Sequence, residues 1–496
     1  MRRLSKSRLM AYRQCERRLW LELHRPELRA DNAASMAAFA AGHQVGDLAR
    51  NLYDPHGTGV LLDPHTEGYE TALARSLALL DSGRPIFEAG FAAGGAMAFA
   101  DVLLPVSGQG PRRWRMVEVK SSTSVKDYQR DDAAIQARVA LDAGVALEGI
   151  ALAHIDSSWV YPGGGDYRGL LVEEDLTQEA FGRGNEVAAW VAGARAVAAS
   201  SDEPDVKPGK HCASPYDCGF VAHCANGMPQ AEFPVAWLPQ LRSKAARQCV
   251  DDGALDMRDI PDALLSDKQL RVKRHTISGQ VYFDAAGAAA DLAPHPLPGY
   301  FLDFETIAFA VPVWPGTRPF QMIPFQFSVH RLDCEGELEH AAFLDLSGDD
   351  PSHAFAIALI EACGEHGPVF VYNAGFEKSR IKELAERFPP LHDALLAINA
   401  RVVDLLPVAR ERYYHPSQEG SWSIKKVLPA VAPDLRYDDL DGVQDGGAAM
   451  QAYLEAIAVG TAPARKRAIE TQLLDYCRLD TLAMVRLWRY FAGDCA

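Results

Sequence analysis

The chain has no uninterrupted apolar run of the ~18 residues that a membrane span needs. Its richest stretch, Ala137 to Ile155, is broken by Arg138, Asp142 and Glu148. No apolar segment follows the opening Arg2, Arg3, Lys6 and Arg8, so a secretory signal is not expected and a cytoplasmic location is. Internal repeats and low-complexity tracts are missing too, which excludes a solenoid. Paired C-x2–4-C elements are absent, which argues against an ordinary zinc module. The nine cysteines are odd in number, and without export they do not suggest a disulfide framework. Basic residues are in deficit, with a net charge of -16. Nucleic-acid binders usually show a basic footprint, yet residues 1–30 carry nine Lys/Arg against three Glu, a local net of +6. The sign of the total therefore excludes no partner.

What is present is ordinary globular material: 496 residues, 48% hydrophobic and 23% charged. That length accommodates about three domains of ~150 residues. Residues 1–85 read as mainly helical. Strand-like runs follow at 86–92, 96–106 and 114–120, then a helix over 129–143, a strand over 148–155 and a long Ala-rich helix over 177–199. Boundaries fall near 228 and 297, with 229–297 a partly helical connecting region in which "AAGAAADLAPHPLPG" looks like a linker. A second α/β pattern begins near Tyr300. It predicts strands at 299–304, 322–332, 339–345 and 368–372, and helices at 352–365, 376–387 and 464–491.

Three groups of residues carry chemistry. The first is Asp101 with Glu118-Val119-Lys120. Alternate strand residues share a face, so Glu118 and Lys120 project together, with Asp101 supplied from a neighbouring strand. Two carboxylates suit Mg²⁺ or Mn²⁺, and a lysine beside them suits the charge developing on a scissile phosphate. Gln136 lies on the helix expected behind this site, and Glu88 lies on the preceding strand. The order "DVLLP…VEVKSS…DDAAIQA" resembles the PD-(D/E)XK nuclease core, particularly its RecB-like branch.

The second group is Cys212, Cys218 and Cys224 in "CASPYDCGFVAHC", a half-cage that needs a fourth ligand. Thiolate-rich sites suit Zn²⁺ or an iron–sulfur cluster. One cysteine before the nuclease core, Cys15 in "YRQCERRLWL", and three after it resemble the iron–sulfur RecB-like nucleases. The resemblance implies that Cys15, Cys212, Cys218 and Cys224 hold a 4Fe–4S cluster that staples the two ends of the domain. His43 is out of register with the histidine that many relatives carry, and no ligand role is expected of it.

The third group is Asp303 and Glu305 in "YFLDFET", Asn373 and Glu377 in "VFVYNAGFEKSRI", and Tyr476 and Asp480 one helical turn apart in "LLDYCRLD". Acidic side chains converging from strands and helices are what a two-metal phosphodiesterase site requires. The pattern resembles DnaQ-like 3′–5′ exonucleases of the RNase H-like fold, tyrosine subtype, over residues 298–496. It implies that Asp303, Glu305, Glu377 and Asp480 bind metal and that Tyr476 positions water. Glu377 stands where that family usually has Asp. Asp404 is a further acid near this site. Trp422, Ile424, Lys425 and Lys426 could contact a strand by stacking and phosphate pairing, although such a group is more often a helix start with solvated lysines.

The whole chain resembles a bacterial fusion of an iron–sulfur RecB-like nuclease domain (1–228) with a DnaQ-like exonuclease domain (298–496). The expected fold class is α/β multidomain. A PD-(D/E)XK restriction-endonuclease-like core with a helical insert and an iron–sulfur staple precedes an RNase H-like domain. The expected activity is metal-dependent hydrolysis of DNA, single strands or duplex ends, with RNA not excluded and no membrane partner. Two alternatives are a nucleic-acid-binding scaffold and a redox-sensing iron–sulfur regulator, each with a degenerate second domain.

Overall fold

The computed structural model describes residues 3–31, 33–108 and 112–493; Arg2 and Cys495 lie outside them. The chain divides into two compact units. One comprises Met1–Met228 with Phe309–Gln321, and the other Pro229–Ala308 with Met322–Ala496. Each is an α/β unit on an open mixed sheet. Among the described residues no helix is long and apolar enough to cross a membrane.

The first unit's strands are β1 (Leu4–Ser5), β2 (Val60–Leu61), β3 (Ile86–Ala93), β4 (Ala96–Val106), β5 (Arg113–Val119), β6 (Leu147–Ile155) and β7 (Leu171–Asp175). They lie in the order β2-β3-β4-β5-β6-β7, with β1 added beside β4. The β3–β4 hairpin turns on Gly94 and Gly95, both with positive φ (60° and 91°). A two-residue hairpin of this hand requires positive φ at both positions, so glycine there is a backbone necessity. β5 and β6 run parallel, and the crossover between them contains the helix Asp127–Asp142. That helix buries Ala133, Ala134, Ile135, Ala137, Val139 and Ala140; its small side chains let its backbone lie close to the sheet.

One sequence expectation needs correction in this unit. The helix expected over 177–199 is two helices, Thr177–Gly182 and Gly184–Ala199, broken at Arg183. The Gly-Arg-Gly step supplies little helix propensity, and Arg183 is held by Asp131 and Glu186. The N-terminal region is mainly helical as expected, and the two-residue strands β1 and β2 join the sheet from it. The segment Phe309–Gln321 adds Ala310 and Val311 to the apolar cluster of Phe87, Val102 and Val117. It is tied by Tyr161 N–H to Thr317 O (2.9 Å) and Tyr167 Oη to Pro312 O (3.1 Å).

In the second unit β8 (Tyr282–Phe283) pairs with β14 (Tyr413–Tyr414). The main sheet contains β9 (Gly299–Ile307), β10 (Ile323–Leu332), β11 (Leu338–Leu344), β12 (Val369–Val371) and β13 (Val402–Asp404), ordered β11-β10-β9-β12-β13. β9, β10 and β11 are antiparallel neighbours, and β12 and β13 are parallel additions. The 30-residue helix Pro463–Ala492 packs on β9 and β10. Residues 229–297, set apart by sequence as a connecting region, fall within this compact unit. The apparent linker forms the helix Ala285–Leu292, capped by Asp284 and burying Ala288 and Leu292. Alanine's high helix propensity and the Asp cap outweigh the flanking Pro and Gly.

Phe301 is fully buried, stacked on Phe370 at 5.0 Å and edge-on to Trp488 at 6.3 Å. Phe301→Ala is expected to destabilise the second unit by about 3–5 kcal/mol. Denaturant unfolding of this variant should show an early transition; one matching that of the unaltered chain would contradict the assignment.

Candidate active sites

Asp101 on β4 and Glu118 on β5 meet because the two strands are neighbours, with Val102 paired to Val117. Asp101 Oδ2 accepts from Val119 N–H at 2.7 Å. Glu118 is 1% exposed. Its Oε1 accepts from Lys120 Nζ at 2.6 Å, and its Oε2 from Gln136 Nε2. The structure thus brings together Asp101, Glu118, Lys120 and Gln136 as the sequence suggests.

It also adds two groups that the sequence did not single out. Lys6 Nζ lies 2.7 Å from Glu118 Oε1, and Asp132 Oδ2 accepts from Lys120 Nζ at 2.7 Å. Lys6 also stands 3.2 Å from Asp132 Oδ1, an ion pair without hydrogen-bond geometry. Asp132 had a local signal, since it lies one helical turn before Gln136. Lys6 had none, because β1 brings it in from the far end of the unit.

Burial raises carboxyl pKa values and neighbouring cations lower them. Burial, reinforced by the Glu118 charge, pushes Asp101 up to about 8. Burial acts on Glu118 in the same direction, but the Lys120 and Lys6 ammoniums outweigh it and hold that group below the usual range. Glu88 is raised by burial and by Glu118, and it sits in β3 with a φ of 56°. The exposed His43 acts on Glu88 electrostatically.

In the second unit Asp303 and Glu305 leave β9 on one face. Asp480 faces them from the helix Pro463–Ala492, and one oxygen from each of the three acids lies within 4.8 Å of the others. The helix is held in rotation by a polar chain. Gln326 Nε2 donates to Leu473 O at 2.7 Å, and Thr481 Oγ1 lies 2.7 Å from Ser328 Oγ and 2.8 Å from His330 Nδ1. Burial first, then Asp480, raises both Asp303 and Glu305, the latter to about 8. Asp480 itself rises to about 6 through burial.

Tyr437 Oη donates to Asp480 Oδ1, and its ring lies 6.2 Å from that of Tyr476. Lys425 Nζ stands 4.9 Å from the Tyr437 ring and 5.2 Å from the Tyr476 ring, and it donates to Gln444 O at 2.6 Å. Tyr437 was not visible from sequence.

Glu377, in the first turn of the helix Gly375–Arg387, is outside the close trio. It is 3% exposed, its Oε2 has no hydrogen-bond partner, and burial raises it to about 7. Asp404 does not present a free carboxylate. It accepts from the backbone N–H groups of Asn373, Ala374 and Leu406, fastening the turn before that helix and capping the next. Trp422 does not offer a stacking face either: it is buried, and its Nε1 donates to Tyr413 O at 2.8 Å. Lys426 is paired with Glu419.

Cys15, Cys212, Cys218 and Cys224 line one small pocket with Arg18 and His211, and all four are free thiols. The Gln14 amide ties the two ends of the unit here, donating to His211 O (2.8 Å), Tyr216 O (2.7 Å) and Ser214 O (3.4 Å). A single zinc at about 2.3 Å from each sulfur would draw the thiols within about 4 Å of one another. No three of these sulfurs gather within 4.8 Å. Burial raises Cys218 and Cys224, and the guanidiniums of Arg18 and Arg17 oppose that shift.

A family model described as a domain of unknown function (DUF2779) matches residues 300–423. The matched stretch holds Asp303, Glu305, Glu377 and Asp404, but stops short of Tyr437, Tyr476 and Asp480. The match names no activity. Comparison with curated proteins gave no match.

A buried acid that ionises less readily when folded stabilises the fold below its unfolded pKa; that contribution is lost as pH rises through the folded value. The window runs from 4.5 to about 8 for Glu305 and from 3.8 to about 6 for Asp480. Chelator-treated protein should therefore lose stability as pH rises across this range, and Mg²⁺ should stabilise it more at the upper end than at the lower. Thermal unfolding across pH, with and without Mg²⁺, checks this. A flat Mg²⁺ effect would count against a cation site.

Proposed function

We propose that the protein is a metal-dependent nuclease that hydrolyses DNA phosphodiester bonds, with one hydrolytic site in each unit and a 4Fe–4S cluster on the four cysteines. The observation that carries this reading is the Asp303–Glu305–Asp480 trio. Three acids, Glu305 and Asp480 buried and Asp303 half-buried, bring one oxygen each within 4.8 Å of the others. With two of them facing repulsion from the third, they form a site that a divalent cation would relieve. The order β11-β10-β9-β12-β13, with its antiparallel and parallel halves, supports the RNase H-like expectation for the second unit. The Asp101, Glu118 and Lys120 arrangement, backed by Gln136, supports the PD-(D/E)XK expectation for the first.

In the first unit Asp101 and Glu118 would hold the cation, and Lys120 would face the phosphate. In the second, Asp303, Glu305 and Asp480 would hold it, and Tyr476 would position the attacking water. A bound divalent cation supplies Lewis acidity toward the phosphoryl oxygen and a more acidic water. The four thiols lining one pocket support the iron–sulfur reading. Arg17 and Arg18 beside it offset thiolate charge.

One observation favours a second reading for the second unit. Tyr437 occupies an Asp480 oxygen, as suits a domain that binds a strand without cutting it.

The test is Mn²⁺-dependent degradation of end-labelled single- and double-stranded DNA by the unaltered chain, Lys120→Ala, Asp303→Ala and the double variant. Two hydrolytic sites predict that each single variant removes a distinct product class, with a loss of roughly 10²–10³-fold. If Lys120→Ala alone abolishes cleavage, the second unit is a binding module. If the unaltered chain cuts nothing, the nuclease reading fails. Anaerobically purified protein should carry about four iron atoms per chain. Cys218→Ser should lose them together with the visible absorbance, whereas iron-free, zinc-loaded protein would overturn the cluster assignment.

A further inference from the structure

Lys6 occupies a position in the first site to which no chemistry has yet been attached. β1 pairs in parallel with β4, matching Leu4 to Ala96 and Ser5 to Met97, and Leu4 is 2% exposed. Leu4 N–H donates to Gly95 O at 3.0 Å. Ser5 Oγ then caps the helix Lys6–Gln14, so Lys6 is fixed as its first residue, beside the strand that bears Asp101.

From there its ammonium reaches the carboxylates already described. Lys6 and Lys120 both contact Glu118 Oε1, at 2.7 and 2.6 Å. Each also contacts one oxygen of Asp132, Lys6 at 3.2 Å and Lys120 at 2.7 Å. Two ammoniums and two carboxylates thus alternate in a closed ring. The side chains of Lys6 and Lys120 are 22% and 24% exposed, while those of Glu118 and Asp132 are 1% and 8% exposed. The two lysines are thus the more exposed members of the ring and the acids the less exposed.

The ring is charge-balanced, two ammoniums to two carboxylates, and Gln136 Nε2 takes the remaining oxygen of Glu118. Holding a long flexible side chain there costs rotamer entropy and desolvation. A pair of accessible cations beside a candidate metal site is what a phosphodiester needs, because negative charge accumulates on its non-bridging oxygens.

We propose that Lys6 is a second catalytic lysine of the first site, contacting a non-bridging oxygen of the scissile phosphate alongside Lys120. The proposal rests on the nuclease reading of that site and extends it. Asp132 is a positioning residue that retains both ammoniums when Glu118 turns to a cation. In the step served, a water oxygen bonds to phosphorus as the bond from phosphorus to the leaving sugar oxygen breaks. The water's proton passes to solvent and the leaving oxygen takes one from solvent. Lys6 keeps its protons throughout and acts by charge.

Because Lys6 shares Glu118 with any incoming cation, its removal has two opposite effects that a purely structural ion pair would not produce. The experiment uses the full-length, cluster-loaded protein and its Lys6→Met and Lys6→Arg variants. It measures single-turnover cleavage of end-labelled DNA at saturating Mn²⁺, and Mn²⁺ binding by titration. Lys6→Met should cut roughly 10²-fold more slowly and bind Mn²⁺ more tightly, with unchanged circular dichroism and iron content. Lys6→Arg, which keeps the charge, should recover most of the rate. Lys6→Met cleavage within about threefold of the unaltered chain, well short of the loss expected for a charge-stabilising donor, overturns the proposal. So does loss of iron and fold in both variants. Inactivity of the unaltered chain is a different result, since it removes the nuclease reading itself; unchanged Mn²⁺ affinity in Lys6→Met would then remove this proposal as well.

Discussion

Burying a carboxylate is costly unless a cation or a proton offsets its charge, and both units of this chain bury carboxylates. They meet the cost differently. The first unit brings its own cations, so Glu118 stays ionised between Lys6 and Lys120 although hardly any of it meets solvent. The second gathers Asp303, Glu305 and Asp480 with no ammonium in direct contact among the described residues. There protonation is the available relief, and the three acids are held above their ordinary range. The first site is therefore electrostatically assembled before any ion arrives, whereas the second has most to gain from one.

Much of the surrounding architecture serves those placements. The alanine-rich face of the helix Asp127–Asp142 allows close approach to the sheet, which lets the short side chains of Asp132 and Gln136 reach the site. In the second unit the Gln326, Ser328, His330 and Thr481 contacts set the rotation of the long helix and so aim Asp480. Asp404 contributes at one remove, spending its carboxylate on the turn that starts the Glu377 helix. Even the basic N-terminus is largely committed to internal pairs. Arg13 engages Asp131, Arg17 engages Glu203 and Arg18 engages Glu22, so these side chains do not form a free basic surface.

The parts of each site that were legible in sequence depend on local spacing. Asp303 with Glu305 and Glu118 with Lys120 alternate along strands, and Tyr476 with Asp480 repeats at one helical turn; local geometry alone puts each pair on a common face. The strands at 86–93, 96–106 and 323–332 were legible for the same reason, because alternation and turn residues mark them. What was illegible depends on tertiary approach. Lys6 joins the first site through a two-residue strand too short to leave a periodic signal, and Tyr437 reaches Asp480 from a single 3-10 turn. Trp422 shows the opposite failure: an aromatic beside two lysines resembles a strand-binding surface, yet its indole fills the core. The Ala285–Leu292 helix was obscured by the Pro and Gly that follow it.

One short element links the first unit's chemistry in a way neither motif shows alone. The helix Lys6–Gln14 begins with the lysine that contacts Glu118, and Cys15 is its C-cap. At 1.5 Å per residue it is about 13 Å long. Its far end is anchored twice, by Cys15 in the thiol pocket and by the Gln14 amide on the 211–216 loop. Its near end is anchored by β1 on the strand that carries Asp101. The thiol pocket and the carboxylate pocket therefore lie at the two ends of one helix. The closure of the domain's two termini thus shares one helix with the Lys6–Glu118 contact.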